Sequence, residues 1–490
     1  MPLRAPVIML AAYNAWLILV LNPGRPGSQF QYCCSSSFFG SMDAVRNSRM
    51  ARVFSFPWGA APIAASTVGL AIALNSLDAP SRLGLGILDL GRGPTTRQRD
   101  YCELLKSELD SVTILPSDPE YRAVNELGCC IAQPRNTEDV RSLVRILTAK
   151  NTPFAIRSWG HSPNPFDANI DGVVLISLDN LDEITYDEGK QLVSLGPGGR
   201  WGTVYTSLEQ YGVTMVGGRR TSIVTKVTWP TLPFKDGWGG VQTFALDQMP
   251  RVLQALHDYQ TAPDKDLHAN LIINFGATND TILTLIYMDP VERPAAFAPF
   301  FELTPTFDST GFYTLREITT TFVIPPVPRW TWYTNSFKPT PEFYGKLSEI
   351  LTTAPEVATL KALQGGTLLA TFQPINENLV LEGEKHGGNA LGLEPVNQTW
   401  LALDVAWWNE ADDDVAYDAT EALLAKINKE AKADGAFLDY IFINDASDRQ
   451  PVLASYGSEN VQKLRNVQRA YDPAGIFQKL VPGGQKIPRH

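Results

Sequence analysis

The sequence predicts an α+β protein of more than one domain, on three patterns. Asn136 precedes Val140, Leu143, Val144 and Leu147, which fall on one helical face, and the β-type run Phe154–Ile156 follows directly. Further strands at 172–178 and 191–196 lead into a helix at about 201–211, which carries Val204, Leu208 and Tyr211 on one side and stops at Gly212. That alternation suits a sheet covered by helices. In the second half, strands at 267–276 and 281–288 flank Ala277–Asp280 as a hairpin. Strands at 367–372, 399–408 and 437–443 and helices at about 341–353 and 411–434 complete an antiparallel α+β unit.

At 490 residues the chain exceeds what one hydrophobic core usually organises. Apolar residues make up 44% and charged residues 19%, so wholesale disorder is excluded. A formal charge of -11 argues against nucleic acid or an anionic membrane surface as partner. The cysteines are Cys33, Cys34, Cys102, Cys129 and Cys130, and neither they nor the five histidines have metal-ligand spacing, so no metal is expected. A bridge from Cys102 to Cys129 or Cys130 and a buried free thiol are both open.

Taken in order, residues 1–96 read as an N-terminal extension. Val7–Leu21 is apolar but broken by Asn14, too short for a membrane span. Ala60–Leu74 follows Met50-Ala51-Arg52 and precedes Ser76 and Ala79, the order of a secretory signal starting at Met50. Residues 1–49 are then an upstream extension, and secretion is the expected destination. A membrane anchor or a disordered tail is the alternative. Asn279 and Asn397 stand in sequons compatible with secretion.

The first domain is expected at 97–235, with Pro230–Gly240 as linker, and the second at 236–440. Pro250 opens a helix ending about Tyr259. The helix at 411–434 places Asp412, Asp413 and Asp414 first and Lys429 and Lys432 last, complementing its dipole, and Gly435 ends it. Those aspartates read as a solvated run. Residues 441–490 form a closing segment.

The stretch that organises the chemistry is Arg157-Ser158-Trp159-Gly160-His161-Ser162, where a β-type run ends in a tight loop. Glycine admits a ligand close to the backbone, and consecutive N–H groups make an anion nest. A strand-to-turn junction with a surface histidine is the alternative reading.

That loop is followed in order by Asp171-Gly172-Val173-Val174-Leu175, Leu195-Gly196-Pro197-Gly198-Gly199-Arg200-Trp201 and Tyr211-Gly212-Val213, then Gly217 and Gly218. Near the end come Asn444-Asp445-Ala446-Ser447, Tyr471-Asp472-Pro473 and Phe477-Gln478-Lys479-Leu480. Together they resemble the FAD-linked oxidoreductases of the berberine-bridge-enzyme-like, vanillyl-alcohol-oxidase type, fungal members above all, over roughly 100–486. The resemblance implies a PCMH-type FAD-binding domain, truncated here, plus an antiparallel-sheet α+β substrate domain, with the C-terminal segment returning to the FAD domain. It implies FAD held by Arg157, Ser158, Trp159, Gly160, His161, Ser162, Gly217, Gly218 and Asn444. A covalent link through His161 is implied too. It further implies oxidation of a small alcohol or phenolic metabolite in secondary metabolism, with O2 as acceptor.

The chain departs from that family in four places. Trp159 replaces a second glycine, so an indole would crowd the pyrophosphate or demand an unfavourable backbone angle. Glu126-Leu127-Gly128-Cys129 is shorter than its counterpart. Gly218-Arg219-Arg220-Thr221-Ser222 runs directly into Ile223, where relatives carry a glycine-rich insert that holds the flavin and supplies some of them with a second, cysteinyl bond. Phe442 replaces a frequent tyrosine. The alternative is thus a degenerate or mis-spliced member that keeps the fold but binds no FAD and has no activity.

On the substrate side, Trp400, Ala402, Asp404, Ala406 and Trp408 share one strand face, which makes Asp404 a candidate base. A solvated or hydrogen-bonded Asp404 is the plainer reading. His268, Asn270 and Asn274 share a face of their strand, expected as a polar outer face. His257 and His386 are expected at the surface.

Overall fold

The structure is a computed structural model. It describes residues 96–490 apart from 120, 122–129, 171–173, 216–222, 277–279, 320–326, 386–387, 389–390 and 489–490. Before residue 96 it describes only the strands Val7–Ala11, Trp16–Val20 and Cys34–Ser35. The signal-like run, Cys33, Cys129, Asn279, His386, Gly217, Gly218 and the site of the absent insert lie outside the described residues.

Helix α1 (Thr96–Glu108) leads to β1 (Thr113–Ile114) and β2 (Cys130–Ala132). Helix α2 (Thr137–Ala149) starts where Asn136 accepts from the N–H groups of Glu138 and Asp139, both at 2.9 Å. Strands β3 (Phe154–Arg157) and β4 (Val174–Ser177) follow. The sheet runs β1-β2-β4-β3, with β4 parallel to both β2 and β3. Leu143 and Leu147 of α2 bury against Leu105, Phe154 and Ile176. A disulfide joins Cys102 to Cys130, with Cα atoms 5.7 Å apart, and so settles the choice the sequence left open.

Strands β5 (Ile184–Asp187) and β6 (Leu192–Leu195), helix α3 (Trp201–Glu209) and β7 (Val227–Pro230) form a second layer. Its sheet is antiparallel, ordered β7-β6-β5, so the one helix-covered sheet expected from the alternation is two small sheets.

The expected linker at 230–240 is instead mostly strand. β8 (Gly237–Ala245) begins inside it. A Cβ on Gly239 would lie 2.0 Å from the Leu285 carbonyl oxygen, so the glycines mark close backbone approach rather than a break. Helix α4 (Met249–Thr261) is followed by β9 (Ala269–Phe275), β10 (Asp280–Tyr287) and β11 (Arg329–Phe337). Then come α5 (Pro341–Thr353), α6 (Pro355–Ala362), β12 (Thr367–Ile375), β13 (Gln398–Trp407), α7 (Asp413–Ala433) and β14 (Phe437–Leu438). The strand expected over 437–443 is only these two residues, and a 3-10 turn at Ile443–Asp445 follows.

The central order is β8-β10-β9-β12-β13-β11-β14 in a nine-stranded antiparallel sheet. One face buries Leu271, Ile273, Leu283, Leu401, Leu403 and Val405 under α4, α5, α6 and α7. The acidic start of α7 is not wholly solvated. Asp413 accepts from Arg329 Nε and Nη2 at 2.5 Å and from Trp407 Nε1 at 2.7 Å. The opposite face meets the first unit, where Tyr205 of α3 packs with Ile272 and Ile286. At the end of the chain, Leu480 accepts from the Phe154 N–H at 2.8 Å, and Phe477 meets the Phe154 ring edge-on, covering the free edge of β3.

Candidate active site

The parallel strands end at Arg157, and ligands of such sheets sit beyond the carboxyl ends of the strands. The loop 158–162 leans on the turn 196–200. Ser158 Oγ donates to the Pro197 carbonyl, and Trp159 Nε1 donates to the Gly198 carbonyl at 2.8 Å. The Arg200 guanidinium lies 3.4 Å above the indole. This turn is itself pressed inward: a Cβ on Gly196 or Gly198 would lie 1.9 or 2.3 Å from the carbonyl oxygens of Leu181 and Leu178.

The expected crowding by Trp159 is therefore corrected. Its indole is taken up by the neighbouring turn, and the left-handed angle in the loop falls on Gly160, at φ +72°. The hydroxyls of Ser158 and Ser162 serve protein groups, Ser162 donating to Asp167 Oδ2 at 2.5 Å, which leaves their backbone N–H groups, the donors expected from the sequence, for a ligand. Among the described residues, the N–H groups of Ser158, Trp159, Gly160 and Ser162 donate to no backbone carbonyl. Burial lowers the pKa of the Arg157 and Arg200 guanidinium groups, while the charge of Asp179 acts to raise both. N–H groups without a backbone acceptor, a left-handed glycine and two part-buried cations suit a diphosphate. His161 is half-buried within the same loop.

The loop is clamped to the large sheet through Asn164. Its Nδ2 donates to the Ala446 carbonyl at 3.0 Å, and its Oδ1 accepts from the Asp448 N–H at 3.1 Å. Segment 444–450 is in turn fixed to two strands. Gln373 Nε2 donates to Asp445 Oδ2 at 2.6 Å, and the Gln450 amide bonds both the N–H and the carbonyl of Thr334. Asn444 is buried in that segment.

Asp404 lies on the sheet face turned toward the loop and is 3% exposed. It is not solvated. The Thr371 hydroxyl lies 2.8 Å from both Asp404 Oδ2 and Asn274 Oδ1, two acceptors for one proton. Trp332 stands opposite Asp404 across the strand pair, and its buried Nε1 has no hydrogen-bond partner among the described residues. Asn270 and Asn274, expected on a polar outer face, are also buried. The reason is that this face is covered by the first unit. Trp408, expected on the Asp404 face, lies past the strand and is exposed.

A family model described as an FAD binding domain matches residues 129–223. An FAD-dependent monooxygenase of Arthrobotrys oligospora is 31% identical over 424 residues, spanning 72% of this chain and 81% of that relative. The chain belongs to the FAD-linked oxidoreductases of the berberine-bridge-like family. The bifunctional solanapyrone synthase of Alternaria solani is 27% identical to this oxidoreductase, over 79% of the present chain and 88% of its own. Two solved structures share the fold. The carbohydrate oxidase of Microdochium nivale has a TM-score of 0.61 at 17% identity, covering 80% of this chain and 100% of its own. The xylooligosaccharide oxidase of Myceliophthora thermophila has a TM-score of 0.62 at 14% identity, covering 80% and 99%.

FAD is the cofactor of this oxidoreductase, and loop 157–162 with Arg200 is the part of the described structure suited to its diphosphate. Sequence reading missed Asn164, Thr371, Gln373 and Arg200 as site residues. Arg200 and Asp445 lie within motifs the sequence singled out, but their roles depend on contacts across the fold. Elsewhere His257 Nδ1 lies 3.2 Å from Asp258 Oδ1 and His268 Nδ1 lies 2.6 Å from Asp289 Oδ2. Among the described residues no group of three or more His, Cys, Asp or Glu side chains is placed to hold a metal. No described helix is long and apolar enough to cross a membrane.

Proposed function

We propose that this oxidoreductase oxidises a small alcohol or phenolic metabolite in fungal secondary metabolism, with dioxygen as acceptor. The relatives described as fungal FAD-dependent monooxygenases and a solanapyrone synthase support that setting. The neighbours described as oxidases support the acceptor. The FAD part comprises 97–235 with 441–490, the substrate part 236–440, and His161 is the point of covalent attachment.

The observation that carries the reading is Asp404, a buried carboxylate on the sheet face to which the FAD loop is clamped. Thr371 holds one carboxylate oxygen, so Asp404 is fixed in orientation and takes the hydroxyl proton of the substrate. Bound FAD supplies the two-electron oxidation. The closed sheet face around Trp332 and Trp400 excludes water from the reacting hydroxyl. Secretion through the segment after Met50 is part of the proposal, and the Cys102–Cys130 bridge, which belongs in an oxidising compartment, supports it.

Purified full-length protein should be yellow and remain yellow after acid precipitation. In His161→Ala the colour should leave with the supernatant. Folded but colourless wild-type protein would overturn the proposal and favour the non-catalytic remnant. Peroxide release on a panel of phenols and alcohols then sorts the substrate class.

A further inference from the structure

We propose that Asn397 carries an N-linked oligosaccharide, added before β13 takes its place in the nine-stranded sheet. Asn397-Gln398-Thr399 has the acceptor pattern for that modification. Its use requires entry into the secretory pathway and so rests on that reading. The fold then places the two chemically decisive positions of the pattern in opposite surroundings.

Asn397 stands immediately before β13, is half-buried, and borders an open cleft beside Lys265 and Asn376. Its Oδ1 accepts from the Glu377 N–H at 3.1 Å, at the start of the helix Glu377–Lys385. Its Nδ2 donates to no described group and is not enclosed. Glycosylation consumes only that nitrogen. The nitrogen bonds to C1 of the sugar of a lipid-linked oligosaccharide diphosphate, the bond from C1 to the diphosphate oxygen breaks, and the diphosphate leaves with the electron pair. One amide proton is released. Oδ1 keeps its lone pairs, so the bond from Glu377 survives the modification.

Thr399 is sealed. It is 0% exposed, its hydroxyl accepts from Gln260 Nε2 at 3.0 Å, and the Tyr344 hydroxyl lies 2.7 Å from it. Its backbone is flanked on both sides, by Phe337 of β11 and Pro374 of β12. The transferase requires the hydroxyl at this third position. Freeing a central strand costs close to the whole stability of the unit, so the finished fold is no substrate. The sugar therefore goes on before β13 inserts between β11 and β12, and the open nitrogen lets it stay afterwards.

Translation of the full chain with microsomes separates entry from modification, because chains inside are protected from added protease. The chain is made with its own N-terminus and behind a foreign signal peptide. In protected chains, peptide N-glycosidase in heavy-oxygen water should convert Asn397 to labelled aspartate, read by mass spectrometry. Asn397→Asp, which keeps an acceptor for the Glu377 N–H, should lose one glycan on a gel. Thr399→Val should lose the same glycan, and Thr399→Ser should keep it. Glycosylated Asn397 with protection only behind the foreign signal supports the glycan and counts against the secretory reading. Protected chains with bare Asn397, or a glycan that survives Thr399→Val, would overturn the assignment. The order is tested with folded, unmodified protein from a bacterial host, offered purified transferase and lipid-linked oligosaccharide beside a peptide spanning 391–403. The peptide should be modified and the protein should not; equal modification would overturn the order.

Discussion

Reducing the Cys102–Cys130 bridge should loosen the FAD-binding unit before the rest of the molecule. The bridge closes a loop of 28 residues in sequence separation. In the chain-entropy account, a loop of that length restricts the unfolded state by about 3.6 kcal/mol at 25 °C. That corresponds to a roughly 400-fold larger unfolded population when the bond is absent. For a unit of this size the shift in unfolding temperature is roughly 7–14 °C. The bond pins α1 to β2, and β2 pairs with β4, which pairs with β3, so the loss is felt directly under the histidine loop. Scanning calorimetry should compare oxidised protein, protein reduced under nitrogen, and Cys102→Ala/Cys130→Ala. The double variant should fall slightly below the reduced protein, because both sulfurs are buried beside Leu105 and Leu143. Flavin fluorescence should rise within the shifted transition. An unfolding temperature for reduced protein within about 2 °C of the oxidised value would refute the reasoning.

Three further outcomes are expected. Asp404→Asn keeps shape but not charge, and kcat should drop by about 10²–10⁴ with flavin content and thermal unfolding preserved; a rate within about twofold of wild type removes Asp404 from the chemistry. Asn164→Ala frees the Ala446 carbonyl and the Asp448 N–H, so the FAD loop should lose about 1–3 kcal/mol of anchoring, read as flavin release at lower temperature. Burial raises the pKa of Asp413, but hydrogen bonds from Arg329 and Trp407 and the Arg329 charge prevail and lower it below 3.8. Its stabilisation is present above pH 3.8 and is lost as pH falls through the depressed value. Asp413→Asn should therefore unfold at lower urea than wild type at pH 6, with the gap closing toward pH 3. A gap constant across pH would sink that assignment.

Local chemistry was the legible part of this chain. Asn136 announces α2 because a cap and an apolar face lie within one short stretch, and the hairpin strands at 267–288 show the same kind of nearby pattern. Glycine was ambiguous. Gly237, Gly239 and Gly240 read as punctuation, whereas in the sheet they let β8 lie against β10 and the 309–313 segment. Trp159 looked like an obstacle because nothing in its own loop says that the Gly198 carbonyl and Arg200 will take the indole. Asn270 and Asn274 looked solvated because alternation shows that one face is polar and not what covers it. Asn164 was invisible for a plainer reason. Its partners Ala446 and Asp448 lie 282 and 284 residues away, and no local pattern encodes that meeting.

The way Leu480 and Gly484 reach back to Phe154 and Asp167 sets a timetable for maturation. Asp167 leaves the ribosome 317 residues before the glycine whose N–H it receives. Throughout that interval β3 has an open edge and the cofactor turn lacks its backing. Flavin loading is therefore expected only after synthesis, and a nascent chain halted before residue 480 should be apoprotein however well its earlier parts have folded.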